Sequence, residues 1–100
     1  MTKLTSKSTG GTSFYDTTIK TTLAKLIKVL GEPQCFDNEG ENKVNVDFDC
    51  ETESGDVFTI YDWKYYRPIK MDETIEFHIG GHSVGVTRQA KSELLDLLNK

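Results

Sequence analysis

The sequence predicts an α+β two-layer sandwich, a three-stranded antiparallel meander covered by two helices in the order α-β-β-β-α. Three observations carry that reading. Leu23, Leu26, Ile27 and Leu30 recur at the spacing of one helix face, Val44, Val46, Phe48 and Cys50 alternate with Asn45, Asp47, Asp49 and Glu51, and Val86, Ala90, Leu94, Leu97 and Leu98 return to helical spacing near the C-terminus. A meander with one wet face leaves one apolar face to cover, and two amphipathic helices supply the cover. A chain of 100 residues holds one modest core, so a single domain over 14–100 is expected, preceded by a flexible tail of residues 1–13.

Ser, Thr, Lys and Gly dominate residues 1–13, which offer little to bury. Phe14 to Thr22 mixes β-branched residues with possible helix caps, Asp16 or Thr21, and the apolar spacing that begins at Leu23 favours Thr21. Gly31 stands where a helix end takes a positive φ, and Pro33 prevents continuation. A polar loop from Gln34 to Lys43, containing Cys35, leads to the alternating strand, and Glu53-Ser54-Gly55-Asp56 is turn chemistry. Val57 to Lys64 then reads as the central strand, with Val57, Thr59, Tyr61 and Trp63 on one face and Phe58, Ile60 and Asp62 on the other. After a connection through Pro68, Glu73 to Ile79 alternates with Ile75, Phe77 and Ile79 inward and His78 outward, and Gly80-Gly81 ends the strand.

The net charge of −4 conceals an asymmetry: residues 1–30 carry five Lys against one acid, and residues 31–60 carry nine acids against one Lys. Such a block is either a solvated face or a surface that competes with nucleic acid for a basic partner, and its sign opposes direct binding of a nucleic-acid polymer. No apolar run approaches the roughly 18–20 residues of a membrane span. The N-terminus lacks the apolar stretch of a secretory signal, which predicts a cytoplasmic setting and two reduced cysteines, Cys50 buried on its strand. Two isolated cysteines without CxxC spacing do not form a zinc pattern, and no cofactor motif is present.

Two strings point to binding. Phe58 to Arg67 reads Phe-Thr-Ile-Tyr-Asp-Trp-Lys-Tyr-Tyr-Arg and holds the single tryptophan and three of the four tyrosines. Trp63, Tyr65 and Tyr66 are flat surfaces on which a nucleobase stacks for about 1–3 kcal/mol per base, with Lys64, Arg67 and Lys70 placed to neutralise phosphate. Alternation alone leaves open whether Tyr61 and Trp63 are core or surface. The second string, Gly80-Gly81-His82-Ser83, enters a helix whose start offers free N–H groups to an anion, though Ser83 also suits a simple N-cap. Asp47, Asp49 and Glu51 on one strand face, and the Asp62-x-Lys64 pair, are unspecific as metal or nuclease signals.

Leu30-Gly31-Glu32-Pro33, Phe58-Thr59-Ile60-Tyr61-Asp62-Trp63-Lys64 and Glu76-Phe77-His78-Ile79-Gly80-Gly81-His82-Ser83 resemble, in this order and across residues 14–98, a widespread family of small phage proteins with G-E-P, I-Y-D-W-K and H-I-G-G strings. Leu30 and Phe77 stand where aromatic residues, tryptophan at the second, are frequent. The family resembles anti-CBASS sponge proteins, which implies a homo-oligomer in the infected host cell that sequesters a cyclic dinucleotide such as 3′,3′-cGAMP without cleaving it. Such a ligand has two bases and two phosphates. The expected site therefore gathers Thr18 and Lys20 with Trp63, Lys64, Tyr65 and Arg67 near His82 and Ser83, completed by a neighbouring subunit. The rival expectation is an inhibitor of a host protein, anti-restriction or anti-CRISPR in type, whose acidic block over 32–56 mimics nucleic acid.

Overall fold

The computed structural model describes residues 2–36 and 43–99. Strands β1 (Lys3–Leu4) and β2 (Ser13–Thr22) lead into helix α1 (Leu23–Leu30). Strands β3 (Cys35–Phe36), β4 (Val46–Glu51), β5 (Val57–Tyr61) and β6 (Thr74–Gly81) follow, and helix α2 (Val84–Leu98) closes the chain. The sheet runs β1-β4-β5-β6-β2, with β3 also paired to β4, and all pairings are antiparallel. The α+β class is as expected, with β5 central, and the sheet is wider than the predicted three strands.

The extra strands come from segments whose local pattern is weak. Phe14 to Thr22 is a strand, and the helix cap is Thr22, whose side chain accepts from Lys25 N at 3.1 Å. Gly31 closes α1 with φ 106° while its N–H donates to Ile27 O at 2.8 Å. Cys35, expected in a loop, pairs with Asp47 as part of β3. Lys3 and Leu4, expected in a tail, pair with Glu51 and Cys50, and Thr5 N donates to Asp49 O at 2.9 Å. The sheet also continues through Gly80 and Gly81, which remain paired with β5 and β2. Of the predicted loop Gln34–Lys43, residues 37–42 lie outside the described residues, Asp37, Glu39 and Glu41 among them.

Register fixes the two faces. Phe48, Ile60 and Ile79 lie side by side across β4, β5 and β6, and with Val46, Phe58, Phe77, Leu23, Leu26, Ala90 and Leu94 they form the core under the helices. The side chains of Phe48, Phe58 and Phe77 are fully buried, so truncating any one to Ala costs about 3–5 kcal/mol. Helix α2 packs on β2, β5 and β6, and α1 on β2 and α2. Ser83 caps α2 by accepting from Val86 N, and Thr87 is tied to Thr17 of β2 by a buried hydroxyl contact of 2.7 Å. Both helices lie on one side of the sheet. The other face carries every alternate side chain.

Candidate functional site

On that second face the register places Asp47, Tyr61, His78 and Thr18 in one row across β4, β5, β6 and β2. The neighbouring row is Asp49, Thr59, Gly80 and Phe14, and beyond the first row Lys20 stands opposite Glu76. Phe14 stacks on the His78 imidazole with ring centroids 3.9 Å apart and planes within 10°. Trp63, just past the end of β5, lies 6.2 Å from His78 at 29°, and Tyr61 meets His78 and Trp63 edge-on at 5.5 and 6.1 Å. The result is a shelf of four conjugated rings that the core does not need: Phe14 and Trp63 remain 37% and 39% exposed.

Cations border the shelf. Lys64 Nζ stands 5.6 Å and Lys43 Nζ 5.9 Å from the Trp63 ring centroid, inside cation–π range. Burial holds the His78 pKa below its ordinary 6.5, against the opposing pull of Glu76 and Asp16, so the imidazole is neutral at neutral pH. It presents one N–H donor and one acceptor together with a flat face.

The chain from Asp62 to Glu73 holds Trp63 in place. Asp62 is fully buried, and its carboxyl group accepts from Asn45 N at 2.7 Å, Asn45 Nδ2 at 2.9 Å and Val46 N at 2.9 Å. Asp62 thus serves as a clasp between the end of β5 and the start of β4. Lys64 and Tyr66 take positive φ of 58° and 52°, and Lys64 N donates to Lys43 O at 2.7 Å. Left-handed backbone at non-glycine residues persists only where surrounding contacts enforce it, and it gathers at functional loops. Tyr65 accepts at its hydroxyl from Glu76 N at 3.2 Å. Arg67 forms a two-pronged pair with Glu73, and its guanidinium lies 5.4 Å from the Tyr65 ring. That pairing raises the Arg67 pKa and lowers that of Glu73.

The eight residues expected to line the site therefore fall into three places. Thr18 pairs with His78 and Trp63 lies 6.2 Å from it, while Lys64 stands over Trp63 and Lys20 one step along the same face, opposite Glu76. Tyr65 and Arg67 brace the loop at the start of β6. His82 and Ser83 lie beyond its other end, where Ser83 is the cap of α2 and His82 O accepts from the Tyr15 hydroxyl at 3.3 Å. The paired glycines have packing reasons. A Cβ at Gly80 would stand 2.8 Å from Thr59 Oγ1, and one at Gly81 would stand 3.0 Å from Thr87 Cγ2.

The connection from β1 to β2 must pass from one side of the sheet to the far edge, and it crosses the ringed face. Thr9 and Thr12 from this strap, with Val44, Asp47, Thr59 and Tyr61 from below, line an open depression of about 490 Å3. Burial and the neighbouring Asp49 carboxylate push the Asp47 pKa up to about 7, and the same burial, aided by Asp47, raises that of Tyr61. At the sheet edge Glu51 is held by Lys7 at 2.6 Å and Lys3 at 3.5 Å, which lowers its pKa and ties the start of the strap to β4.

Phe14, His78, Asp47 and the strap threonines were absent from the expected set. The outward phase of His78 was visible, but its neighbour Phe14 is brought in by long-range pairing. Among the described residues no three His, Cys, Asp or Glu side chains are grouped to hold a metal ion, and no helix is long and apolar enough to cross a membrane. Comparison of the chain with protein families, curated proteins and solved structures found no match.

Proposed function

We propose that this protein binds a cyclic dinucleotide on the ringed face of its sheet and retains it uncleaved, acting as a phage immune-evasion sponge against CBASS-type defence. The observation that carries the reading is the shelf of Phe14, His78, Tyr61 and Trp63 with lysines at its margin. Stacking of a base on such rings contributes about 1–3 kcal/mol, and lysine ammonium groups beside it meet the phosphates that every cyclic dinucleotide carries. Two bases need two platforms. A second copy of the chain, bringing its own shelf, would enclose the ligand from the other side and slow its release, which is what sequestration requires.

The acidic-mimic alternative draws no support from Asp47, Asp49 and Glu51, and Asp37, Glu39 and Glu41 of its block lie outside the described residues. Asp47 borders the strap depression, Asp49 shares its face, and Glu51 is occupied by two lysines, so these carboxylates do not form an outward array like a phosphate backbone.

Calorimetry against a panel of cyclic di- and trinucleotides tests the proposal. At least one should bind tightly, be recovered chemically intact after heat denaturation of the protein, and bind about 10-fold or more weakly to Trp63→Ala. Folded protein that binds none of the panel would overturn it, and recovery of a linearised nucleotide would make the protein an enzyme instead.

A further inference from the structure

The depression beneath the strap adjoins the ring shelf and has a different chemistry. Its volume of about 490 Å3 falls within the roughly 300–1,000 Å3 common to small-molecule sites. Tyr61 belongs to both, one of the shelf rings and one wall of the depression. A flat ligand resting on the shelf can therefore direct an edge under the strap. That edge would meet the Asp47 carboxyl group and the hydroxyls of Thr9, Thr12 and Thr59. Asp49 stands beside Thr59 on the same face and accepts a hydrogen bond from the protonated Asp47 carboxyl group.

Among the described residues no ammonium or guanidinium group lines the depression, and its one carboxyl group stands among hydroxyls. The hydroxyls donate or accept as needed, whereas the ionised Asp47 carboxylate only accepts and calls for a pair of donors. Carboxylate oxygens pair side by side with two adjacent N–H groups on a rigid ring, and among the common nucleobases guanine has that pattern on its Watson–Crick edge, at N1 and the 2-amino group. Adenine offers an acceptor at N1 next to its amino group and leaves one carboxylate oxygen facing a lone pair. A site that hydrogen-bonds a donor rejects the analogue lacking it, because its own buried polar groups are then unpaired.

We infer that the strap depression is a guanine pocket in which the Asp47 carboxylate receives the N1–H and 2-amino donors while the base stacks toward Tyr61. The inference rests on the proposed nucleotide binding and adds its base specificity. The proton that Asp47 holds near neutral pH, through burial and the nearby Asp49, leaves when the donors arrive.

The test is titration of the full chain and of Asp47→Asn with cyclic di-GMP, cyclic di-IMP and cyclic di-AMP, with Trp63→Ala alongside. Inosine keeps N1–H and lacks the 2-amino group. Cyclic di-GMP should bind wild type about 10-fold tighter than cyclic di-IMP and tighter still than cyclic di-AMP. Asp47→Asn should lose about 10-fold or more for cyclic di-GMP and bind cyclic di-AMP at least as tightly as wild type, because the new amide N–H faces adenine N1, and a cooperative melting transition shows that the variant is folded. Trp63→Ala should weaken all three alike. Equal binding of the three ligands, or an Asp47→Asn variant that binds cyclic di-GMP as wild type does, overturns the guanine pocket and leaves nucleotide binding standing. Absence of binding by any of the three to folded wild type overturns the guanine pocket, and absence of binding across the whole panel of cyclic di- and trinucleotides overturns both.

Discussion

Asp62→Ala should cost this domain a large part of its stability. Asp62, Asn45 and Val46 all have 0% exposure, so the three N–H groups that the carboxyl group receives have no access to bulk water in its absence. Each stranded donor costs about 1–3 kcal/mol, and three give roughly 3–6 kcal/mol once some relaxation or an entering water is allowed for. The whole domain has about 5–15 kcal/mol in hand. At this chain length each kcal/mol moves the melting temperature by about 4–8 °C, so the variant should melt at least about 12 °C below wild type. Asp62→Asn keeps the oxygen that accepts from both backbone N–H groups and turns its amide N–H toward Asn45 Nδ2, and should fall between Asp62→Ala and wild type. Urea unfolding with calorimetric melting measures both. A melting temperature for Asp62→Ala within about 3 °C of wild type would refute the clasp, and with it the account of how Trp63 is held on the shelf.

The Asp47 carboxyl, at about 7 in the folded state against an ordinary 3.8, binds more protons folded than unfolded between those values. The stability it supports is complete below the lower value and is lost as pH rises through the upper one, so Asp47→Asn should melt above wild type near about pH 8 and match it near about pH 4. A lower melting temperature for the variant at the alkaline end would contradict this. Gly80→Ala, whose Cβ would meet Thr59 Oγ1 at 2.8 Å, should cost about 1–3 kcal/mol, and adding Thr59→Ala should recover most of it. Strictly additive losses would remove the steric explanation. Proton NMR should show the His78 imidazole titrating below 6.5, and a midpoint above that value would mean it is not desolvated as described.

Much of the layout was readable because burial on one face writes a period into the chain. The alternation of β4 separated Val46, Phe48 and Cys50 from Asp47, Asp49 and Glu51, whereas that of β5 separated two faces, both partly apolar, and only pairing with β4 and β6 shows that Phe58 and Ile60 are the core side. Strands β1 and β3 have two residues each, too short to show any period. Strand β2 hides for another reason. It is threonine-rich, and between Phe14 and Thr18 it spans four positions where β6 spans two, with Asp16 at φ 64° in the irregularity. That bulge breaks the alternation and still returns Phe14 to the ringed face. The shelf was half visible, since Trp63 and Lys64 stood out by composition, whereas Phe14 joins His78 from 64 residues away through sheet pairing. The strap depression needs both ends of the first thirteen residues to be pinned, at Glu51 and at Gly81, which no local pattern reveals.

Trp63 is the only tryptophan, so its fluorescence reports directly on the shelf. Titration of the purified protein with a cyclic dinucleotide should change that emission saturably, and the midpoint should match the calorimetric affinity and weaken in His78→Ala. A calorimetrically confirmed ligand that leaves Trp63 emission untouched and binds His78→Ala as tightly as wild type would place the site elsewhere and contradict the central claim.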